Sequence, residues 1–181
     1  MKNIVMFDIE TFGTAADTVV ISIGAAGYDK EGKPFEFYER LGIEEQIKKG
    51  RSITESTLLW WMGQSEEAQT VFRESPTPVD VVLKELAIGL SESMDTKKLE
   101  VYGNGASFDI TIICNMFEQY NLETPWKFWN ERCYRTIKNL FADVILKRKG
   151  THHNALADAQ SQLAHLKLIS ELKDLKLGIN V

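Results

Sequence analysis

Two acidic residues stand two positions apart at the end of an apolar segment near the N-terminus. Asp8 and Glu10 close the run that begins with residues 4–7, and this run predicts a buried strand. Side chains two positions apart in a strand point to the same face, so both carboxylates are expected at one strand edge. A hard divalent cation with oxygen ligands would offset the cost of burying them. Taken alone, the pair equally fits a solvated strand end.

A third acidic residue follows a glycine-rich turn. Residues 99–102 predict a short strand, Gly103-Asn104-Gly105 predicts a turn, and Ser107 is expected to cap a helix that reaches residue 120. Asp109 then lies near the start of that helix, beside a second strand edge. The helix dipole alone also explains an acidic residue in a first turn, so both interpretations of Asp109 stay open.

A histidine and a fourth acidic residue flank the start of the last predicted helix, over residues 155–172. His153 lies in the loop before this helix, and Asp158 lies one turn into it. A carboxylate on a rigid helix next to an imidazole on a loop suits a metal ligand beside a general base. Histidine also titrates near neutral pH, as a general base must.

The elements around these residues indicate an α/β domain with a mixed sheet. The segments that predict an antiparallel meander are 4–7, 19–26 and 35–38. Helices are predicted over 54–63, 79–91 and 134–147. Strands followed by alternating helices and strands are typical of one mixed sheet flanked by helices. Residues 1–181 are accordingly interpreted as a single domain.

The composition sets limits on the class of protein. The chain has 181 residues, of which 44% are hydrophobic and 26% charged, and its net charge is −5. These values exclude collagen-like, disulfide-stapled and disordered classes. The acidic balance excludes a histone-like binder but allows a nucleic-acid enzyme with local positive charge. Without a long apolar segment or a signal-peptide pattern, we expect a cytoplasmic protein that does not contact membranes.

Three motifs in order resemble those of the DEDD exonuclease superfamily in its histidine subtype, the DnaQ-like 3′–5′ exonucleases. The motifs are Asp8-Ile9-Glu10-Thr11, the segment 103–109 that ends at Asp109, and His153 with Asp158. The tyrosine subtype has tyrosine four residues before the last aspartate, where this chain has Asn154. Segment 56–65, with its Trp-Trp and Gln-Ser pairs, resembles a branch that includes a phage exonuclease A and a mycobacterial exoribonuclease.

This resemblance implies a ribonuclease H-like fold and a metal-dependent 3′–5′ exonuclease. Such an enzyme releases nucleoside monophosphates from the 3′ end of RNA or single-stranded DNA with two divalent metal ions, Mg²⁺ or Mn²⁺. The implied ligands are Asp8, Glu10, Asp109 and Asp158, and His153 is the implied general base. The alternative is a non-catalytic nucleic-acid-binding module or a polymerase-associated proofreading subunit of the same fold. The intact set of carboxylates and His153 argues against that alternative.

The resemblance also suggests where a substrate binds. Family members hold the terminal nucleotide around the position of Thr11, and the apolar residue that follows, here Phe12, wedges against the base. Simple packing is the competing explanation for Phe12. Trp60, Trp61 and Phe108 are further stacking candidates. Adjacent helical residues such as the two tryptophans point to different faces, so at least one of them is expected in the core.

A basic segment precedes the histidine motif. Residues 126–150 carry seven basic and two acidic residues in a chain that is otherwise acidic. A solvated helix face explains part of this charge, but a phosphate-binding surface that leads to His153 better explains its position. Arg148 and Lys149 stand immediately before the histidine loop, and Asn104 would contact the nucleic-acid backbone or brace its own turn. The sequence does not determine whether the protein prefers RNA or DNA, or whether it forms a homodimer.

Overall fold

The computed structural model describes residues 1–105, 107–148, 150 and 153–177, and its strands form a five-stranded mixed sheet. The strands are β1 (Ile4–Thr11), β2 (Val20–Tyr28), β3 (Pro34–Arg40), β4 (Glu100–Gly103) and β5 (Glu131–Cys133). Their order across the sheet is β3-β2-β1-β4-β5. The pairs β1–β2 and β2–β3 are antiparallel, whereas β1–β4 and β4–β5 are parallel. The predicted meander and mixed α/β fold are therefore confirmed.

Helices cover both faces of the sheet. They are α1 (Ile43–Lys48), α2 (Glu55–Met62), α3 (Val79–Ser93), α4 (Asp109–Gln119), α5 (Tyr134–Leu140) and α6 (Ala155–Leu172), with 3₁₀ turns η1 (Ala68–Arg73) and η2 (Phe128–Asn130). Val5 and Phe7 of β1 pack with α3 and α4, whereas Ile4 and Met6 pack with α5 and α6. The alternation of side chains along β1 produces these two cores. None of the described helices is long and apolar enough to span a bilayer.

A glycine on β2 lets the N-terminus of α6 lie against the sheet. Gly24 is the antiparallel partner of Asp8 on β1. A Cβ atom at Gly24 would lie 2.2 Å from the carbonyl carbon of Ala155 and 2.3 Å from the backbone nitrogen of Leu156. No side chain fits at position 24. Glycine therefore allows the first turn of α6 to pack beside Asp8.

Two details of the predicted helices are wrong. Helix α5 ends at Leu140 rather than at residue 147, and α4 begins at Asp109 without a side-chain cap from Ser107. After α5 the chain turns back, and the carbonyl of buried Val144 contacts Nε2 of His165 on α6 at 2.8 Å. This tertiary contact overrides the helical pattern of residues 141–147.

Candidate active site

Four carboxylates from three distant parts of the chain line one cavity of about 190 Å³. Asp8 and Glu10 come from β1, Asp109 from the first turn of α4 and Asp158 from the first turn of α6. Asp8 is half-buried and the other three are buried. Because β1 and β4 are parallel, their carboxyl ends meet at this edge of the sheet. The structure thus brings together all four acidic residues that the sequence singled out.

Burial disfavours the ionised forms of three of these carboxylates, and repulsion adds to this effect at Asp8 and Glu10. Burial, followed by the charges of Asp109, Glu10 and Asp158, raises the pKa of Asp8 well above its usual range. Burial and then the charge of Asp158 raise the pKa of Glu10 to about 8. Burial likewise raises the pKa of Asp109 to about 6. Such a cluster gains stability from any bound cation that lets the carboxylates ionise.

Backbone and side-chain hydrogen bonds fix two of these carboxylates. The backbone N–H of Asn104 donates to Oδ2 of Asp109 at 2.7 Å, which holds the turn after β4 against the start of α4. Nε2 of Gln162 donates to Oδ1 of Asp8 at 2.6 Å. Gln162 lies one turn beyond Asp158 on α6, so both side chains share one helix face. We did not expect Gln162 at the site, although this spacing of four residues was a signal for it.

The backbone of His153 adopts a left-handed conformation at the edge of the cavity. Its φ is +64°, which is uncommon for a residue with a side chain. Its backbone N–H donates to Oδ2 of Asp158 at 3.0 Å. Its ring packs edge-on against Trp60, with ring centroids 4.9 Å apart, and lies 6.1 Å from the ring of Trp61. The imidazole is therefore held between helix α2 and the start of α6.

The donor set of the cavity fits a divalent cation. One ligand atom each from Glu10, His153 and Asp158 lies within 4.8 Å of the other two. Asp8 and Asp109 line the same cavity, so further carboxylate oxygens are available to hard cations. Burial and then the charges of Asp158 and Asp109 raise the pKa of Glu10, and a bound cation would relieve this repulsion.

Two arginines reach the carboxylate cavity. Arg148 forms an ion pair with Asp158, and Arg135 from the first turn of α5 also lines the cavity. Arg148 was expected in a phosphate-binding surface, and its position in the lining of the cavity is compatible with that role. Arg135 was noticed only as part of the basic segment. Lys149 lies outside the described residues.

The residues expected to contact a base differ in their exposure. Phe108 and Asn104 line the cavity, as a substrate-binding role requires. Thr11 is buried, and its hydroxyl donates to the carbonyl of Gly13 at 2.6 Å. Phe12 is buried and stacks on Phe72, so the packing explanation fits its ring.

The two adjacent tryptophans have opposite environments. Trp61 is buried, and its Nε1 donates to the carbonyl of Thr11 at 2.9 Å. The expectation that Trp61 binds a base therefore does not suit the structure, because its ring lies in the core. Trp60 is 44% exposed and is the ring that faces both solvent and His153.

Comparisons with known sequences identify nucleases. The family model described as a 3′–5′ exoribonuclease Rv2179c-like domain matches residues 3–170. The exodeoxyribonuclease of Enterobacteria phage T4 is 28% identical over 156 residues, which cover 72% of this chain and 68% of the phage protein.

Comparisons with solved structures identify nucleases that share the fold of this chain. Exonuclease I of E. coli in complex with a dT13 oligonucleotide aligns with a TM-score of 0.58 and 16% identity over 94% of this chain. The alignment spans 42% of Exonuclease I. Exonuclease X in complex with 5′ overhanging duplex DNA aligns with a TM-score of 0.58 and 14% identity, over 96% of this chain and 94% of its own.

A third structure is the nuclease domain of 3′hExo, a DEDDh family member, bound to rAMP. It aligns with a TM-score of 0.54 and 14% identity, over 94% of this chain and 92% of its own. Together these alignments confirm the predicted ribonuclease H-like fold.

Proposed function

Because the chain belongs to the family of Rv2179c-like 3′–5′ exoribonuclease domains, we propose that it releases nucleoside monophosphates from the 3′ end of RNA or single-stranded DNA. Its relatives include a phage exodeoxyribonuclease and a DEDDh exonuclease, as the sequence motifs indicated. The observation that carries the proposal is the convergence of Asp8, Glu10, Asp109 and Asp158 with His153 at one cavity.

Asp8, Glu10, Asp109 and Asp158 would hold two divalent metal ions, either Mg²⁺ or Mn²⁺. Burial and repulsion among these carboxylates support this assignment, since both effects favour a bound cation. Two such ions stabilise the entering and the leaving oxygen of an in-line displacement at phosphorus. Gln162 would orient Asp8 through its hydrogen bond, as residues behind metal ligands commonly do.

His153 would act as the general base that takes the proton from the attacking water. The proximity of its ring to Glu10 and Asp158 supports this role, because the water must lie near both the base and the carboxylates. The hydrogen bond from its backbone to Asp158 couples the position of the base to that of a metal ligand.

The substrate would enter beside the arginines. Arg148 and Arg135 offer positive charge to the phosphates, and Phe108 and Asn104 line the cavity where the terminal nucleotide would bind. Arg148 contacts Asp158 through Nη1, and other N–H groups of its guanidinium would contact a phosphate. The matching family is described as exoribonucleases and the similar phage protein as an exodeoxyribonuclease, so both polymers are candidate substrates.

A gel assay tests the proposed function. RNA and DNA of one sequence, single-stranded and labelled at the 5′ end, are incubated with the protein and Mg²⁺, Mn²⁺ or EDTA. We expect a metal-dependent ladder that shortens from the 3′ end, and the faster substrate identifies the preferred sugar. Asp8→Asn should abolish cleavage because it removes a proposed ligand. Full activity of Asp8→Asn would refute the mechanism, and cleavage of neither polymer would favour the non-catalytic alternative.

A further inference from the structure

Two adjacent aromatic side chains lie exposed at the start of the edge strand β5, outside the candidate active site. Phe128 and Trp129 of η2 are 75% and 61% exposed. Their ring centroids are 4.9 Å apart and their planes are at 80°. Neighbouring exposed rings form an apolar patch of the kind that marks a binding surface.

Buried neighbours fix the backbone that carries these rings. Trp126 and Asn130 on either side of the pair are buried. Nε1 of Trp126 donates to Oε1 of Glu131 at 3.1 Å, and Nδ2 of Asn130 donates to the carbonyl of Lys97 at 3.1 Å. The rings are therefore presented on an anchored turn, which lowers the entropic cost of binding a ligand.

Basic side chains accompany the rings. Lys127 precedes them and is exposed, and exposed Lys97 lies on the segment to which Asn130 bonds. Arg132 donates from Nη1 to the carbonyl of Trp129 at 2.7 Å. In a chain with a net charge of −5, a surface that combines two rings with three basic residues is suited to a polyanion.

Two acidic residues next to this surface are engaged by other side chains. Glu100 is buried and lies 3.7 Å from Nη2 of Arg132. Glu131 is half-buried and accepts from the indole of Trp126. Exposed Glu118 lines a cavity with Phe128, so phosphates are expected beside the basic residues rather than on that side of the ring.

Strand β5 connects the rings to the candidate active site. Cys133 pairs with Gly103, which precedes Asn104 at the cavity, and Arg135 lines the same cavity. Trp129 and Arg135 are six residues apart, which at about 3.3 Å per residue limits their separation to roughly 20 Å. A single strand of a few nucleotides spans such a distance.

We propose that Phe128 and Trp129, with Lys97, Lys127 and Arg132, form a second binding site for single-stranded nucleic acid. This site holds the substrate strand upstream of the 3′-terminal nucleotide, and the proposal rests on the proposed function. Bases stack on the two rings and the basic side chains contact phosphates, a combination that tolerates any sequence. A second copy of the chain fits less well, because a symmetric contact through this surface would bring its basic residues face to face.

The length dependence of cleavage tests the second site. KM is measured for a dinucleotide and for oligonucleotides of roughly 4 to 16 nucleotides. For the wild-type protein we expect KM to fall as the strand becomes long enough to reach the rings. In the double variant Phe128→Ala, Trp129→Ala, this dependence should disappear, with KM for the longest oligonucleotide raised about fivefold or more.

A matched control and a binding measurement separate the outcomes. Ile88 on α3 is 56% exposed and lies outside the proposed surface, so Ile88→Ala should keep the wild-type length dependence. An unchanged length dependence in the double variant overturns the second site. If the wild-type protein cleaves nothing, the proposed function fails, but weaker binding of a labelled oligonucleotide to the double variant in EDTA still supports the second site. If the double variant changes oligomeric state but binds the oligonucleotide as the wild-type protein does, the rings form a protein–protein contact, and the proposed second site is overturned.

Discussion

At the scale of single residues, the candidate site contains residues held in energetically unfavourable states. Burial raises the pKa values of Asp8, Glu10 and Asp109, and neighbouring negative charges raise those of Asp8 and Glu10 further. His153 adopts a left-handed backbone conformation that few residue types tolerate. Such local costs concentrate at functional sites, where the surrounding structure maintains them.

Replacing His153 by asparagine should separate proton transfer from metal binding. Asparagine tolerates a positive φ but cannot act as a general base at neutral pH, so the backbone should persist while kcat falls by about 10²- to 10⁴-fold. Calorimetric titration with Mn²⁺ should give an affinity like that of the wild-type protein. A large loss of Mn²⁺ affinity in His153→Asn would instead identify His153 as a ligand.

At the scale of secondary structure, two contacts position α6 and the histidine loop. The first turn of α6 lies against β2 at Gly24, and the ring of His153 packs on Trp60 of α2. The first contact sets the place of Asp158 relative to Asp8, and the second limits the movement of the imidazole. Gly24 belongs to none of the sequence motifs, and Trp60 belongs to the Trp-Trp pair of segment 56–65.

Gly24→Ala should displace α6. The added Cβ atom would meet the backbone of Ala155 and Leu156, which cannot rotate away as a flexible side chain could. We expect a loss of roughly 1–3 kcal/mol in unfolding free energy, together with lower nuclease activity. Denaturant unfolding and the gel assay measure the two effects.

Gly89→Ala on α3 is the matched control for this substitution. There the nearest atom to an added Cβ is Cε2 of Phe35 at 3.6 Å, an ordinary contact. Alanine also favours a helix over glycine, so this variant should be more stable by roughly 0.5–1 kcal/mol and fully active. Equal behaviour of the two alanine variants would contradict the steric role of Gly24.

Trp60→Ala should lower kcat through His153. Loss of the edge-on ring contact frees the imidazole, and misplacement of a catalytic group by about 1 Å costs up to about 10²-fold in rate. In a double-mutant cycle, Trp60→Ala should have little further effect in the His153→Asn background. Leu59→Ala, at a 58% exposed position of the same helix, serves as the control. Additive effects with a raised KM would show that Trp60 contacts the substrate rather than the base.

The sequence predicted elements where a local pattern determines the structure. The meander β1–β3 and the bounds of α6 follow from apolar periodicity and, for α6, from the cap at Asn154, whose side chain accepts from Ala157. The early end of α5 was not predictable, because it depends on a contact of Val144 with a distant helix.

The candidate site was predictable in its residue types but not in its supporting contacts. The four carboxylates stood out by type and spacing, and the structure places them at one cavity. Which tryptophan is exposed depends on how α2 lies against the core, and the hydrogen bond of Gln162 depends on how α6 lies against β1. Both are tertiary facts, on which local sequence patterns carry little information.

At the scale of the whole molecule, the charge is unevenly distributed. The chain is acidic overall, yet its basic residues are enriched in the segment 126–150, from which Arg135 and Arg148 reach the cavity. This uneven distribution favours the approach of a polyanion along the basic segment.

The stability of the metal-free protein should fall as the pH rises from about 5 to about 8. The pKa of Glu10 rises from its ordinary value of 4.5 to about 8 in the folded chain. Between these values the folded state keeps a proton that the unfolded state has lost. The contribution of Glu10 to the free energy of unfolding is fully present below pH 4.5, and it is lost as the pH rises through the folded pKa of about 8. For this one proton the loss is at most about 1.4 kcal/mol per pH unit.

Thermal melting across this pH range, with and without Mn²⁺, measures the effect. Mn²⁺ should raise the melting temperature more at about pH 8 than at about pH 5, because it binds ionised carboxylates. Glu10→Gln should flatten the metal-free dependence, since glutamine does not titrate. A metal-free melting temperature that is constant over this range would contradict the repulsion described for the cavity.

The distance along the chain between the parts of the site has a consequence for protein synthesis. Asp8 and its partner Gln162 are 154 positions apart, and Asp158 lies on the same late helix. Chains fold from the N-terminus as they emerge from the ribosome, so β1 and α4 are available well before α6. A nascent chain therefore carries three of the four carboxylates without an assembled site. The proposed nuclease site is therefore complete only after α6 has emerged and packed against β1 and β2.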